Sequence, residues 1–296
     1  SFFFPITTEQ AKPKPEGTDN FDGGLRYRTN KIQAQLSAWY THFTNRQASA
    51  FDPELNVSVF RNLGTVNKWG IDGSIAYEPI KQLTLYAFGS WNRSKIADNI
   101  QTGRLPVGVT CDTVDPTSVA GLQNCAFTRG NRESGAPKYT YGFSAVGDIG
   151  PVELGVEAKR TGQRFVFDNN QAMYRGDIGA TTTPIAPGQN RVVQEVIFPA
   201  QVPAYWLVNL DARLKLGAVA PSLRKTYLQF NLYNAFDKFY VGGFGGGLSQ
   251  STSTRTCNTT STPSCTTTTT VPTWGSPPFV QIGAPRTFLA SINVEF

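Results

Sequence analysis

The sequence predicts an all-β chain, the wall of a transmembrane antiparallel β-barrel. Three observations carry this. Apolar and polar residues alternate along nine segments. The connections between those segments alternate between short and long. No run of about 18 apolar residues exists to make a membrane-spanning helix.

Composition agrees. Charged residues make up 16% of the 296 residues, against roughly 25% in an average soluble domain. Aromatics reach 12%. Disorder would need more charge and fewer rings. Barrel strands turn one side to lipid and one to the lumen, so mean hydropathy stays low while alternation is strong.

The segments follow in order near 18–29, 32–45, 62–78, 83–95, 138–148, 152–166, 204–216, 226–235 and 284–296. Leu25 and Tyr27 alternate with Arg26 and Arg28. Ile32, Ala34, Leu36, Ala38 and Tyr40 alternate with Gln33, Gln35, Ser37 and Thr41. Trp69, Ile71, Ile75 and Tyr77 oppose Asp72, Ser74 and Glu78, and Leu83, Leu85, Ala87 and Trp91 oppose Thr84 and Ser90. Tyr139, Tyr141, Phe143 and Ala145 oppose Thr140 and Ser144. Val152, Leu154, Val156 and Ala158 alternate with Glu153, Glu157 and Lys159. Trp206, Val208, Leu210, Ala212 and Leu214 alternate with Asn209, Asp211, Arg213 and Lys215. Leu228, Phe230 and Leu232 alternate with Gln229 and Asn231, and Phe288, Ala290, Ile292, Val294 and Phe296 share one face of the last segment. Several of these match the 9–11 residues or so that a tilted strand needs to cross a bilayer.

Short connections fall at Thr29–Lys31, Pro79–Gln82, Ile149–Pro151 and Gly217–Lys225; long ones near 46–61, 96–137, 167–203 and 236–283. Outer-membrane barrels sort their loops this way, with short periplasmic turns and long extracellular loops. The four cysteines form two local pairs, Cys111/Cys125 and Cys257/Cys265, both in long loops. That placement predicts two disulfides and an oxidising compartment. Nine is odd, whereas single-chain bacterial barrels have even strand numbers. The count and a start that reads as loop point to an incomplete barrel, with partner strands elsewhere.

Other classes find little support. The net charge of +6 is spread out, with no nucleic-acid module. No CxxC is present, and the single histidine, His42, offers no metal or catalytic constellation. Gly242–Gly247 lacks the Lys-Ser/Thr ending of a phosphate loop. No enzyme, cofactor or metal centre is expected.

A family resemblance runs along the chain. Gly283-Ala284-Pro285-Arg286-Thr287, leading to Phe296, resembles the last strand of TonB-dependent outer-membrane receptors. Asn231, Asn234, Phe236, Asp237 and Tyr240 resemble that family's N-x-x-N-x-F-D-x-x-Y segment. Asp19-Asn20-Phe21 with Gly24-Leu25-Arg26-Tyr27, and Asn62-Leu63-Gly64 with Gly70-Ile71-Asp72, resemble two of its strand starts; Asp72 stands where the family has Glu. Gly135-Ala136-Pro137-Lys138 and Arg160-Thr161-Gly162-Gln163-Arg164 resemble further strand borders.

The resemblance implies a barrel of about 22 strands with a plugged lumen. Residues 1–296 would be its C-terminal portion, with plug and TonB box outside this sequence. It implies active uptake of a scarce nutrient, such as a ferric siderophore or similar metal chelate, across the bacterial outer membrane. A passive porin-like channel, or a barrel segment assembling with another chain, is the alternative. Implied partners are the rest of the barrel, the plug, the TonB complex through that plug, outer-membrane lipid and lipopolysaccharide, and the chelate. Phe296 would be the assembly signal. Lumen and plug contacts would come from Arg26, Asp72, Glu153, Glu157, Lys159, Asp211, Arg213 and Lys215. Ligand contacts would come from Arg164, Phe165, Tyr174, Arg175, Tyr240, Phe244, Trp274 and Phe279, by stacking and charge.

Overall fold

The structure is a computed structural model. It describes residues 14–52, 57–62, 64–101, 105, 107–115, 125–175, 180–186, 189–192, 195–218, 220, 223–245, 251–255, 269–273 and 279–294. Nine long strands build one sheet: β1 (Gly17–Arg28), β2 (Ile32–Thr44), β3 (Val66–Ile80), β4 (Leu83–Ile96), β5 (Tyr139–Ile149), β6 (Val152–Thr161), β7 (Tyr205–Lys215), β8 (Tyr227–Tyr233) and β9 (Thr287–Asn293). Each pairs antiparallel with the next in sequence, so the sheet is an up-and-down meander with β1 and β9 at its edges. No helix among the described residues is long and apolar enough to cross a membrane.

The register joins the alternating patterns into two continuous faces. One row runs Leu25, Leu36, Gly73. Another runs Ala34, Ile75, Ala87, Phe143, Ala158, Val208. A third joins Leu210, Leu232 and Phe288. Cross-strand partners share a side, so the alternating apolar residues of the nine strands form one surface, while a few rings such as Trp39 and Phe88 lie on the other. Its large side chains are exposed: Leu25 is 77% accessible, Phe143 52% and Phe288 64%. A contiguous apolar surface of this extent has hydrocarbon as its natural solvent.

The turns at one end are tight. Thr29 Oγ1 accepts the Ile32 amide at 2.9 Å, and the Thr29 amide bonds the Ile32 carbonyl at 2.7 Å. Gly150 takes a φ of 63° between β5 and β6, a conformation that costs glycine little.

The expected strand borders shift where local pairing competes. β3 opens at Val66 rather than at 62: Val57–Asn62 pair with Gln47–Asp52 as a separate hairpin within the expected connection, and Gly64 takes a φ of 73° before Val66. β6 stops at Thr161 rather than 166; Arg164–Phe165 instead pair with Gln201–Val202. β9 begins at Thr287, because Pro285 has no amide to give a ladder. The long connections carry further hairpins, at Ala180–Ala186 with Gln189–Val192 and Ser251–Arg255 with Thr269–Thr273.

Candidate functional site

The face opposite the apolar one carries most of the sheet's charge. Arg26, Asp72, Glu153, Glu157, Lys159, Asp211, Arg213 and Lys215 all lie on it by register. At the tight-turn end they pair. Arg213 Nη1 sits 3.1 Å from Glu153 Oε1, and Lys215 Nζ sits 2.6 Å from Asp148 Oδ1. The Arg213 guanidinium also lies 4.8 Å from the Tyr227 ring centre. Further along, Asp211 lies opposite Gly155, where a Cβ would collide with its carboxylate. Asp72 accepts the indole N–H of Trp39 at 2.8 Å.

At the other end the long connections fold over this same face. Glu133 is 3% exposed and makes ion pairs with Arg46 and, at 2.5 Å, with Lys68 Nζ. Its amide donates to Ser94 Oγ at 3.1 Å. Ser94 and Lys68 are register partners on β4 and β3. A second segment braces the first. The Ser134 amide donates to Asp168 Oδ1 at 2.7 Å, the Arg132 amide to Asn170 Oδ1 at 2.8 Å, and Asn170 Nδ2 to the Arg132 carbonyl at 2.7 Å. Beneath them Val166, Phe167 and Val202 form a small dry core, with Phe198 and Val241 packed on it. Burial pushes Arg46 below its ordinary value, partly offset by Asp168 and then Glu16. Cys111 and Cys125 are joined by a disulfide, and Cys125 pairs with Gln101 in a two-residue ladder.

The expected ligand residues are placed unevenly. Arg164 is 7% exposed and donates to the carbonyls of Val241 and, at 3.1 Å, Gly242. It also lies 5.8 Å from the Tyr205 ring, which packs 4.5 Å from the Tyr240 ring. Arg164 therefore clamps the Val241–Gly245 strand to the wall. Phe165 is half-buried beside it. Tyr174 and Arg175 lie in Met173–Arg175, which pairs with Glu195–Phe198; Phe244 and Phe279 lie in the Val241–Gly245 and Phe279–Ile282 hairpin. Trp274, Cys257, Cys265 and Phe296 lie outside the described residues. Among the described residues no cluster of metal-binding side chains occurs.

Sequence reasoning missed Arg46, Lys68, Ser94, Glu133, Asp168 and Asn170. Their only local signal is the dense polar run Asn131-Arg132-Glu133-Ser134, which has no period.

Comparison with known proteins decides the family. The model of the TonB-dependent receptor-like β-barrel matches residues 4–235. The chain belongs to that family. No curated protein matches it. Among solved structures, the ferric yersiniabactin uptake receptor FyuA from Yersinia pestis superposes with a TM-score of 0.56 at 15% identity. The ferric citrate transporter FecA gives 0.53 at 14%, and the copper transporter OprC 0.52 at 17%. These alignments cover 95%, 94% and 97% of this chain but only 30%, 31% and 33% of the other chains. At such identity the likeness is one of fold, and the chain spans about a third of those receptors.

TonB-dependent receptors are proteins of the bacterial outer membrane, and they transport rather than catalyse. The apolar face of the sheet is then its lipid side. The charged face is the side of the lumen.

Proposed function

We propose that the chain is the C-terminal wall of an outer-membrane TonB-dependent importer that takes up a ferric siderophore or similar metal chelate. One observation carries this: the long connections turn inward and cap the lumen face through Glu133, Arg46 and Lys68. An open passive channel has no need of such a buried, ion-paired cap. The solved receptors of the same fold include proteins for ferric yersiniabactin and ferric citrate.

On this reading the capped end is extracellular. Phe165, Tyr240 and their neighbours offer ring surface to the chelate, and Arg164 positions Tyr240 through its carbonyl bonds. Tyr174, Arg175, Phe244, Trp274 and Phe279 add further ring and guanidinium contacts to the chelate. Arg26, Asp72, Glu157, Lys159 and Asp211 dock a plug, while Glu153, Arg213 and Lys215 brace its periplasmic end. TonB acts through the plug, and Phe296 serves barrel assembly.

The test is uptake of a radiolabelled ferric chelate by cells carrying the intact receptor. Uptake should stop when the inner-membrane proton gradient is dissipated. Uptake that continues unchanged would instead establish the passive channel.

A further inference from the structure

The hairpin above β2 and β3 keeps their register. The wall ladder runs up to Phe43 opposite Val66. The hairpin ladder resumes with Gln47 opposite Asn62 and runs on to Asp52 opposite Val57. Each step forward on one strand is matched by one step back on the other, so neither strand gains a residue across the gap. In that register Asn45 stands opposite Gly64. Both are left-handed, with φ of 52° and 73°.

A bulge would add a residue to one strand only. Here both strands turn at one level, so the ladder is bent without being slipped. A left-handed Asn carries strain, and such strain gathers at switch regions. Hinges are built this way, from a few element-terminal residues that absorb the change in φ and ψ.

The two sides of the joint are held differently. On the wall side, the Thr65 amide donates to Asp98 Oδ2 at 2.6 Å, and the Ala97 amide to the Thr65 carbonyl at 2.8 Å. A Cβ on Gly64 would collide with the Asp98 carboxylate. On the hairpin side, the Arg46 amide donates to the Gly64 carbonyl at 3.0 Å and the Gln47 amide to Glu16 Oε1 at 2.5 Å. The Arg46 side chain pairs with Glu133, whose second partner is Lys68 on β3. Arg46 lies on the hairpin side of the joint and Lys68 on the wall side. One buried carboxylate therefore spans the joint.

We propose that the hairpin of Gln47–Asp52 and Val57–Asn62 is a hinged lid at the capped end of the lumen. It turns at Asn45 and Gly64, and Glu133 is its latch. Its own ladder lets it move as one piece. The purpose of the lid rests on the uptake reading, since an importer must admit its load beneath the cap. Its motion is measured without transport, so each can fail alone.

The test uses the intact receptor in neutral detergent, with spin labels on Ala50→Cys in the hairpin and Gln163→Cys, which is exposed just beyond β6. Electron–electron double resonance should give one narrow distance with Glu133 present and a second, separate population in Glu133→Gln. Amide exchange at Arg46 should quicken about tenfold in that variant, while amides bonded within the hairpin ladder keep their rates. Should Glu133→Gln fail to fold, Arg46→Gln removes the same pair from the hairpin side and should act alike. Asn45→Gly, with the latch intact, should broaden the distance by loosening the hinge. An unchanged distance and unchanged Arg46 exchange without the latch would overturn the proposal. So would ladder amides that quicken together with Arg46, because the hairpin would then be melting and not swinging.

Discussion

Glu133 Oε2 lies 2.5 Å from Lys68 Nζ, joining a long connection to the lumen face of strand β3. Glu133 is almost fully buried, and Arg46 pairs with it from a second connection. One carboxylate therefore ties two loops to the wall.

Glu133→Gln would leave two partly buried cations without their counter-charge. Removing one member of a buried pair costs about 3–5 kcal/mol. Lys68 and Arg46 each keep about a quarter of their side-chain surface in water, so we expect about 1–3 kcal/mol here. The loss should be local. Amide exchange at Gly130 and Ile96, which bond Ile96 O and Asn131 O, should speed up, while the barrel's unfolding midpoint barely moves. A large drop in that midpoint would contradict a loop-specific clamp.

The two faces can be tested by a matched pair. Ile75 lies on the lipid side and is 46% exposed, while its neighbour Ser74 faces the lumen. Ile75→Arg should cost about 2–4 kcal/mol of folding into lipid vesicles, and Ser74→Arg much less. Equal costs, measured by denaturant titration, would mean that the faces are reversed or that neither meets lipid.

Gly70 allows a close approach. A Cβ there would lie 2.6 Å from the Trp39 ring and 2.7 Å from the Trp91 carbonyl oxygen. Gly70→Ala should therefore push Trp39 away from Asp72, costing about 1–3 kcal/mol. In a Trp39→Phe background the same substitution should cost less, because the indole bond is already gone. Additive costs by urea unfolding would dismiss the coupling.

Asn234 closes β8 against the approach to β9. It takes a φ of 49° and is buried. Its Nδ2 donates to the Lys238 and Ala284 carbonyls at 3.0 and 3.1 Å. Nearby, Asp237 Oδ1 accepts the Arg286 amide at 2.9 Å. Asn234→Ala should cost about 2 kcal/mol or more, through strain and unmet carbonyls. Asn234→Gly should recover the strain part only. Heat-modifiable gel mobility of the folded barrel would report the order wild type, Gly, Ala.

These last contacts also show why the Asn231–Tyr240 motif could be read before its role was known. Its residue types are visible in sequence, but its partners lie about fifty positions away, at Ala284 and Arg286. Strand borders were less legible. The alternation opens the third strand at 62, yet Asn62 ends a hairpin of Val57–Asn62 on Gln47–Asp52 and β3 opens only at Val66. A hairpin closes a short loop at small entropic cost, and period two cannot tell it from a wall strand.

The sequence by itself determined which residues face lipid and which face the lumen. Side chains on a pleated strand alternate, and nine alternating patterns leave one consistent way to pair them. Only the tertiary structure decided what caps the lumen. Ser94 meets Glu133 across 39 positions, and Arg164 meets Val241 across 77. Those contacts have no period, because they depend on where the wall brings two irregular segments together. Arg164 is the clearest case. Its chemistry suits a ligand, but its burial and its two carbonyl partners make it a clamp.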